Sequence, residues 1–516
     1  MEFSALNAQV VDWQWTVQAG GTGSYCQCNS LCGDDEGNIY MAGSFLGATT
    51  FGDINLTSSG SSDIFVAKLD PWGNWLWADA IGSYGYDRAT DIVCDPDGNL
   101  VITGDFEHTM HFGGLPIISS SGSHDVFVAK FSPWGVWLWS ARAGGSGYDT
   151  ANSLDADSNG DIYLTGYFTG TGYFPGISSI SSAGGIDIFL ARLSRVGNWR
   201  WSKRAGASNS DEGKSVAVDP NNNIILSGRY RGNISFDSHN LDPESNYPLF
   251  VAKADSLGNW LWANTTTGTG NAYYGDICVD SLGNTYITGT FAPSISFGAY
   301  SVDNISSNDI FVAKAGPTGE WNWALSAGGS SSDSVSDIEV DTEGNIWIGG
   351  TFEFPFSLGD ISLSSQGSYD IYMAKLCPAG TWTWATRTGG SNSDYFEALY
   401  LDGEDNAFLG GGFEGLSTLG NTVLSSLGDK DVFALKYGTD FILLPPDHIT
   451  ILKEADEVLL SWIAVTGASA YKVESSTLPE GPYTDISDLG EFSETGFSID
   501  LPQADKQFFR LSAIRN

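Results

Sequence analysis

The chain has 516 residues, and its 62 acidic side chains against 23 basic ones give a formal net charge of −39. Such a charge repels phosphate backbones and excludes nucleic acid as a partner, while cations and neutral polymers such as glycans are compatible with it. Aromatic residues at 13%, 64 glycines and only 6 cysteines favour an all-β protein with many turns over a disulfide-stapled one.

The first residues resemble the end of a signal peptide. The segment "SALNA" followed by Gln9 is similar to a signal-peptide tail at its cleavage site, although no basic region precedes it. We therefore expect residues 1–12 to be an N-terminal extension or signal-peptide remnant, and the natural precursor to be longer. No apolar run reaches the ~18 residues of a membrane span, so membrane insertion is not expected.

A cysteine cluster follows at Cys26, Cys28 and Cys32. The C-x-C-x3-C run lacks a second pair of ligands, so it is a weak signal for zinc. A local disulfide and free thiols are the alternatives, and the sequence leaves the choice open.

A repeat of 61 or 62 residues governs the chain from here on. A phrase close to "DIFVAK" occurs seven times, first at Asp63 and last at Asp431. A W-x-W pair also occurs seven times, and in six cases it follows that phrase after a short turn. The pairs are Trp13/Trp15, Trp75/Trp77, Trp137/Trp139, Trp199/Trp201, Trp260/Trp262, Trp321/Trp323 and Trp382/Trp384.

Each unit predicts four strands, as residues 90–141 illustrate. The segments "TDIVCD", "LVITGDF", "DVFVAKF" and "WLWSA" alternate with tight turns and one loop of about twenty residues. The two tryptophans of the last strand are two residues apart and point to the same face, which suits packing between neighbouring sheets. Small four-stranded sheets repeated radially make a β-propeller.

The ends of the array complement each other. It begins with a lone W-x-W strand and ends at Asp431 with a "DVFALK" phrase that no W-x-W follows. We therefore predict a seven-bladed β-propeller over residues 13–438, closed by the N-terminal strand, with residues 13–16 completing blade 7.

The unit "GGSGYDTANSLDADSNGDIYLTGYF", continued by "IDIFLARLSRVGNWRW", resembles the bacterial secreted β-propeller repeat known as SBBP. The resemblance covers residues 13 to about 438 and recurs in every unit. It implies a propeller on extracellular or surface proteins, and it implies no shared catalytic residues.

The composition changes after the array. Residues 439–447 read as a linker, and residues 448–516 alternate like the strands of a small β-sandwich. Trp462 followed by "AYKVESS" resembles a fibronectin type III module, but no final strand follows "FFRLSAIRN". We expect the edge left open to support self-association.

Two motifs carry metal-ligand chemistry. Residues Asp155, Asp157, Asn159 and Asp161 have the D-x-D-x-N-G spacing that surrounds Ca²⁺, but the acid that closes such a loop is missing, and a hairpin turn is the alternative. The histidines of one loop, His108, His111 and His124, suggest Zn²⁺, against solvated loop residues.

Position-by-position repetition separates structural residues from candidate binding residues. The Asp that opens each "DIFVAK" phrase and the basic residue that ends it recur almost throughout, so we assign them to structural hydrogen bonds or ion pairs. The loops that lead from W-x-W strands to the next unit differ, and their residues are predicted to line one mouth of the axial channel and bind a ligand. These residues are Asp87, Arg88, Asp149, Asp211, Glu212, Tyr273, Tyr274, Asp394 and Tyr395. Trp72 and Trp134 form a candidate contact patch on the opposite face.

The sequence therefore predicts a secreted or surface-associated, non-catalytic binding or adhesion protein, outside a bacterial cell or on its surface. It contains no catalytic triad spacing, P-loop, nucleophile elbow or paired-carboxylate motif. The alternatives are a glycan lyase or hydrolase with its site at the axial channel mouth, and a structural subunit of an extracellular assembly. The expected partner is a glycan or a protein at a propeller face. No cofactor is required, and calcium is a candidate.

Overall fold

A computed structural model describes residues 11–245, 247–273 and 275–439, and the strand segments 450–454, 457–461, 470–476, 484–485, 491–493, 496–500 and 508–514. The chain divides into two compact units: Val10–Gly438, which we call the propeller unit, and a C-terminal unit that includes Thr439–Asn516. The predicted linker and the fibronectin-type tryptophan, Trp462, lie outside the described residues. The predicted domain boundaries therefore stay predictions.

The propeller unit opens with one strand that precedes the first repeat, β1 (Val11–Gly20). Three repeats follow, each antiparallel throughout. Blade 1 spans β2 (Tyr25–Gly33), β3 (Ile39–Leu46), β4 (Ala48–Phe51), β5 (Ile54–Thr57), β6 (Asp63–Leu69) and β7 (Trp75–Ile81). Blade 2 spans β8 (Asp87–Cys94), β9 (Leu100–Phe106), β10 (Thr109–Met110), β11 (Ile118–Ser119), β12 (Asp125–Phe131) and β13 (Trp137–Ala143). Blade 3 has β14 (Thr150–Ala156), β15 (Ile162–Gly172), β16 (Ile180–Leu193) and β17 (Trp199–Ala205).

Three further blades follow the same plan. Blade 4 spans β18 (Glu212–Val218), β19 (Ile224–Arg229), β20 (Ile234–Phe236), β21 (His239–Leu241), β22 (Leu249–Ala254) and β23 (Trp260–Thr265). Blade 5 spans β24 (Asn271–Tyr273), β25 (Ile277–Val279), β26 (Thr285–Ala292), β27 (Ser294–Phe297), β28 (Tyr300–Asp303), β29 (Asp309–Ala315) and β30 (Trp321–Gly329). Blade 6 spans β31 (Ser334–Val340), β32 (Ile346–Phe352), β33 (Phe356–Leu358), β34 (Ile361–Leu363), β35 (Asp370–Leu376) and β36 (Trp382–Thr388).

The last repeat supplies β37 (Asp394–Leu401), β38 (Ala407–Phe413), β39 (Leu416–Leu419), β40 (Thr422–Ser425) and β41 (Asp431–Thr439). The prediction of a seven-bladed propeller closed by the N-terminal strand is wrong: the structure shows six blades, each made from one continuous stretch of chain. In place of a seventh four-stranded blade there is a six-stranded sheet in the order β37-β38-β41-β1-β4-β5, which we call the composite sheet. Backbone pairing beyond the W-x-W strand, Ala19 with Phe51 and Gly20 with Thr50, joins β1 to the β4–β5 hairpin of blade 1.

The two tryptophans of a W-x-W pair have different roles. In five pairs the first packs edge-on against a phenylalanine of the preceding hairpin or loop, as Trp75 does against Phe51 with ring centroids 5.0 Å apart. The second donates its indole N–H to a backbone carbonyl in the turn of the next blade, as Trp77 does to Pro133 over 3.1 Å. This geometry confirms the predicted role of these strands in packing neighbouring sheets together.

The repeated charged residues are structural, as predicted. The Asp that opens each "DIFVAK" strand accepts an amide N–H from the preceding loop, as Asp63 does from Ser59 over 2.8 Å. The basic residue that ends the strand pairs with the acid of the hairpin turn beside it in several blades, as Lys253 does with Asp219 over 2.7 Å. Both groups are buried, so each repeat fixes its own turns.

The C-terminal unit contains two described sheets. The strands are β42 (Thr450–Glu454), β43 (Glu457–Ser461), β44 (Ala470–Ser476), β45 (Thr484–Asp485), β46 (Glu491–Ser493), β47 (Gly496–Asp500) and β48 (Phe508–Ile514). The sheet orders are β42-β43-β47-β46 and β45-β44-β48, all antiparallel. The likeness to a fibronectin type III module stays a prediction.

Candidate functional site

The innermost strand of every blade and of the composite sheet contributes to the wall of one central cavity. The cavity has a volume of about 1560 Å³ and is lined by residues of β2, β8, β14, β18, β25, β31 and β37. We call the end of the cavity where these strands begin the mouth. Because the same strand of each repeat faces the cavity, any difference between repeats along it changes the cavity wall.

A β-bulge occurs near the start of six of these strands, among the residues the structure describes. The bulge residues are Asn29, Thr90, Asn152, Lys214, Ser336 and Glu397. Four are small and polar, and each donates a hydrogen bond to a backbone carbonyl of the next repeat. Asn152 Nδ2, for example, lies 2.7 Å from the Gly213 oxygen. A bulge redirects one side chain, and here it joins neighbouring inner strands.

Lys214 and Glu397 break that pattern. Both stand at bulge positions with charged side chains, and both line the cavity. Burial lowers the pKa of Lys214 and raises that of Glu397, while the two side chains attract one another and Lys430 also favours the charged form of Glu397. Glu397 Oε1 lies 3.7 Å from Lys430 Nζ. Lys214 and Glu397 therefore put charged side chains at a position of the cavity wall where four other inner strands have neutral ones.

Carboxylates further along the wall tie one inner strand to the next. Asp91 accepts a hydrogen bond from the Leu154 amide over 2.9 Å, and Asp337 accepts one from the Leu399 amide over 2.6 Å. Burial raises the pKa of Asp91 to about 6 and that of Glu339 to about 8, and it raises the pKa of Asp337 well above its ordinary value. Burial in the cavity wall therefore favours the neutral form of Asp337 and Glu339 at neutral pH more than that of Asp91.

The three aspartates among the four predicted calcium ligands bind different partners. Asp155 accepts the Val218 amide over 2.7 Å, and Asp157 accepts the amides of Asn159 and Asp161 over 2.9 and 3.0 Å. The Asp161 carboxylate pairs with an arginine, Arg192. Among the described residues no group of three or more acids, histidines or cysteines is arranged to hold a metal. The D-x-D-x-N-G spacing instead forms a hairpin turn.

Four of the predicted mouth residues lie beneath the surface. Asp87, Asp149, Asp211 and Asp394 are buried and accept backbone amides of their own loops. Asp149, for example, accepts the Gly145 amide over 2.7 Å and the Thr169 amide over 3.0 Å. These four aspartates therefore lie at the junctions between blades and are not exposed at the mouth.

Arg88 does lie at the mouth, within a cluster that the sequence did not reveal. Its guanidinium donates to Asp105 over 2.7 Å. The His124 ring lies between Asp105 and Glu107, with nitrogen–oxygen distances of 3.1 Å on both sides. The hydrogen bond to Asp105 raises the pKa of His124, so the ring stays protonated to a higher pH than usual. Tyr148 packs on this ring with centroids 4.5 Å apart.

The other two predicted loop histidines, His108 and His111, are exposed and stand apart from this cluster. All six cysteines are free thiols, and Cys26, Cys28 and Cys32 are buried.

Glu212 is the predicted mouth residue of blade 4. Arg229 binds its carboxylate through two hydrogen bonds of 2.9 and 3.0 Å. The Arg229 guanidinium also lies over the Tyr247 ring, 5.6 Å from its centroid, and Arg231 lies at 5.7 Å. This sector of the mouth therefore presents an aromatic ring fixed between two cations.

Tyr395 is the best-supported member of the predicted tyrosines. Its ring is partly buried, Lys430 lies 4.5 Å from the ring centroid, and its hydroxyl lies 3.5 Å from Glu414. The same Lys430 lies 5.7 Å from the Tyr25 ring, so it connects two aromatic side chains. Tyr273 is also partly buried, whereas Tyr274 lies outside the described residues.

The predicted contact patch on the opposite face is divided. Trp134 is 80% exposed and belongs to the cavity lining at the end away from the mouth, whereas Trp72 is 41% exposed. Sequence reasoning missed Glu397, Tyr148, Tyr167 and Lys430, and it considered His124 only as a zinc ligand. The one available signal was departure from the repeat, since Glu397 stands where other units carry Asn, Thr or Ser.

The fold and the site define a β-propeller repeat protein. The family model described as Beta-propeller repeat, SBBP, matches residues 138–174. Within the described residues, no helix has the length and hydropathy that a membrane-spanning segment needs.

Two curated proteins are similar to the chain at 24% identity. One is an uncharacterized WD repeat-containing protein of Acanthamoeba polyphaga mimivirus, matched over 445 residues, 70% of this chain and 32% of the relative. The other is the regulatory protein FlaEY of Caulobacter vibrioides, matched over 388 residues, 69% of this chain and 39% of the relative. The chain thus spans about a third of the length of these relatives.

Solved structures align over most of the chain at low similarity. A protein of unknown function from Dyadobacter fermentans aligns with a TM-score of 0.40 and 9% identity, covering 82% of this chain and 99% of the other. A puromycin hydrolase aligns with a TM-score of 0.37 and 10% identity, covering 84% and 58%. Scores below 0.5 carry no argument about function.

Proposed function

We propose that this protein is a non-catalytic binding protein whose propeller holds a neutral glycan chain in the mouth and central cavity. The observation that carries the proposal is the break in the repeat at Lys214 and Glu397. The fold tolerates small neutral side chains at this bulge position in four other inner strands. Two charged, partly buried side chains at equivalent positions of one cavity wall are therefore explained better by a ligand than by the stability of the fold, which neutral side chains serve in the other strands.

Aromatic side chains around the mouth support a polyhydroxylated ligand. Tyr148 and Tyr167 stack with an interplanar angle of 13° and centroids 6.0 Å apart. Tyr247 and Tyr395 are each held by a cation over the ring. A tyrosine offers an apolar face to the C–H surface of a sugar and a hydroxyl to its edge. Rings already held in place lose little conformational entropy on binding.

The charge distribution of the mouth favours a neutral ligand. Arg88, Lys214 and Arg229 stand close to Glu212 and Glu397, so neither a polyanion nor a polycation meets a surface of one sign. Hydroxyl groups can accept from the cations and donate to the carboxylates. The strongly acidic composition of the whole chain also opposes a polyanion.

The test is a glycan-array screen followed by calorimetric titration of the best neutral oligosaccharide. Replacing Tyr395 by alanine, or Glu397 by glutamine, should weaken binding about tenfold or more, because an anchoring group at the centre of a site contributes roughly 1–3 kcal/mol. Tyr300→Ala serves as the matched control, since this tyrosine lies on β28 in the outer hairpin of blade 5 and is 39% exposed. Equal loss in all three variants, or no loss in the first two, contradicts the proposal.

A second candidate function is glycan hydrolysis or lysis in the cavity. The specific observation is the set of wall carboxyls with raised pKa values, Asp91, Asp337 and Glu339, since a protonated carboxyl beside an ionised one is the arrangement of a general acid and its partner. Release of new reducing ends from any bound glycan, lost in Glu339→Gln, would establish an enzyme. Binding without release would establish the non-catalytic reading.

We also propose that the protein acts outside a bacterial cell or on its surface. The support is the signal-like N-terminal segment and the resemblance to secreted repeats. Fractionation of the source cells followed by immunoblotting tests this location, and a protein confined to the cytoplasmic fraction contradicts it.

A further inference from the structure

Pairs of buried aspartates recur where one blade meets the next. One member opens a "DIFVAK" strand, the other lies at the start of the following inner strand, and the charge of the first raises the pKa of the second. The five pairs are Asp63/Asp87, Asp125/Asp149, Asp187/Asp211, Asp309/Asp333 and Asp370/Asp394. The carboxylates converge around a glycine: a Cβ built on Gly144 would lie 2.8 Å from Asp125 Oδ1 and 3.0 Å from Asp149 Oδ2. Two negative charges in so small a buried space need compensation.

Four of the five pairs have compensation within the protein. In three, an arginine of the W-x-W strand binds the first aspartate, as Arg142 binds Asp125, Arg204 binds Asp187 and Arg387 binds Asp370. In the fourth, both oxygens of Asp87 accept backbone amides, from Ser83 over 2.5 Å and Glu107 over 3.1 Å. Each of these junctions thus has a counter-charge or a carboxylate with amides on both oxygens, although one or two oxygens of each pair still lack a hydrogen-bond partner.

The junction of blades 5 and 6 has neither form of compensation. Ser326 occupies the strand position that holds the arginine in three other blades: it pairs with Phe311, as Arg387 pairs with Tyr372. Asp333 is 2% exposed, and neither of its carboxylate oxygens has a hydrogen bond of normal geometry. Burial raises its pKa to about 8, although the nearby Gly329 amide favours the charged form. Asp309 Oδ1 also lacks a partner. Three buried carboxylate oxygens at this junction thus lack a hydrogen bond of normal geometry, more than at any of the other four.

We propose that the blade 5–blade 6 junction binds one Ca²⁺ ion between Asp309 and Asp333. A divalent cation neutralises both carboxylates, and Ca²⁺ takes six to eight oxygen ligands in flexible geometry. The adjoining loops, residues 304–308 and 328–333, contain five serines, whose hydroxyls and backbone carbonyls are the nearest neutral oxygens in the chain to complete the coordination. This site is separate from the cavity and from the D-x-D-x-N-G turn of blade 3.

Three other junctions use an arginine as the counter-charge, so an arginine introduced at this junction should replace the Ca²⁺ ion. The full chain is stripped with a chelator and titrated with Ca²⁺ by calorimetry, and bound metal is measured directly. We expect about one Ca²⁺ per chain at this junction and a rise in melting temperature on binding. Asp333→Asn should lose this ion. Ser326→Arg should also lose it, because the guanidinium takes its place, yet should melt in chelator at or above the temperature of the parent protein.

The matched control is Asp394→Asn, which removes the equivalent aspartate at a junction that Arg387 already neutralises. It should keep the ion. If Asp333→Asn does not fold, Ser326→Arg decides alone. The proposal is overturned if the parent binds no Ca²⁺, if Ser326→Arg binds as the parent does, or if Asp394→Asn and Asp333→Asn lose the ion equally. If Asp309 and Asp333 share one proton and need no cation, the parent will bind no Ca²⁺.

Discussion

Replacing Glu339 by glutamine should stabilise the protein at pH 8 and make little difference near pH 5. Glu339 lies on β31 and lines the cavity. Burial raises the pKa of its carboxyl to about 8, and the charges of Asp276 and Asp155 add to the effect. At pH 8 the folded protein must hold part of this charge in an unfavourable place, and a neutral amide of the same shape removes that cost.

The direction follows from the difference between folded and unfolded states. The pKa of this carboxyl is higher in the folded chain, so its stabilising contribution is fully present below its ordinary pKa of 4.5 and is lost as the pH rises through about 8. At about 1.4 kcal/mol per pKa unit, the whole shift corresponds to roughly 5 kcal/mol. Because the cavity admits water, which screens the charge, we expect the glutamine variant to be about 1–2 kcal/mol more stable than the parent at pH 8.

The assay is urea unfolding followed by tryptophan fluorescence at pH 5, 6.5 and 8, with the free energy of unfolding obtained by linear extrapolation. Glu343→Gln is the control, since this exposed glutamate lies on the turn after the same strand and should show no such pH dependence. The reasoning is refuted if Glu339→Gln is no more stable than the parent at pH 8, or if its advantage is the same at every pH.

Two further predictions concern the framework. Lys253→Met breaks an ion pair of 2.7 Å whose side chains are 6% and 0% exposed, and it should cost about 3–5 kcal/mol in unfolding free energy. Arg195→Met breaks a pair that is 53% and 43% exposed and should cost less than about 1 kcal/mol; equal costs would contradict the argument from burial. Gly104→Ala places a Cβ 1.9 Å from a backbone carbonyl oxygen and should lower stability by about 1–3 kcal/mol or more, whereas a Cβ at Gly114 meets nothing within 4 Å and Gly114→Ala should be nearly neutral by thermal melting.

The strands of each repeat could be predicted from side-chain patterns, but the limits of the sheets could not. The "DIFVAK" and W-x-W strands have periodic apolar residues, and the structure places strands at both. The strands β1 and β30 also pair with a neighbouring hairpin. This pairing is made by backbone groups past the end of the apolar repeat, such as those of Gly328 and Ser357. No side chain marks these bonds. The composite sheet, and with it the error in blade number, lies outside what periodicity can reveal.

The candidate site was predictable only in part, for two physical reasons. The aspartates that end the glycine- and serine-rich loops looked exposed, yet an amide four residues earlier draws each carboxylate inward, as the Gly145 amide does for Asp149. A β-bulge adds one residue to a strand but has no residue type of its own in this chain. The sequence therefore does not indicate that Lys214 and Glu397 line the cavity. Arg88, Glu212 and Tyr395 were found because they differ between repeats at positions before the bulge.

The net charge of −39 overstates the acidity that a ligand meets. Many of the acids are used inside the framework: most junction aspartates accept loop amides, Asp219 binds the buried Lys253, and Asp341 binds the partly buried Lys375. At the mouth, by contrast, the charges that remain accessible include Arg88 and the Arg229–Glu212 pair. The field at the site is therefore set by the few residues that depart from the repeat, and composition alone describes the framework better than the site. For this reason the mixed charge of the mouth supports the proposed neutral ligand over a cationic one.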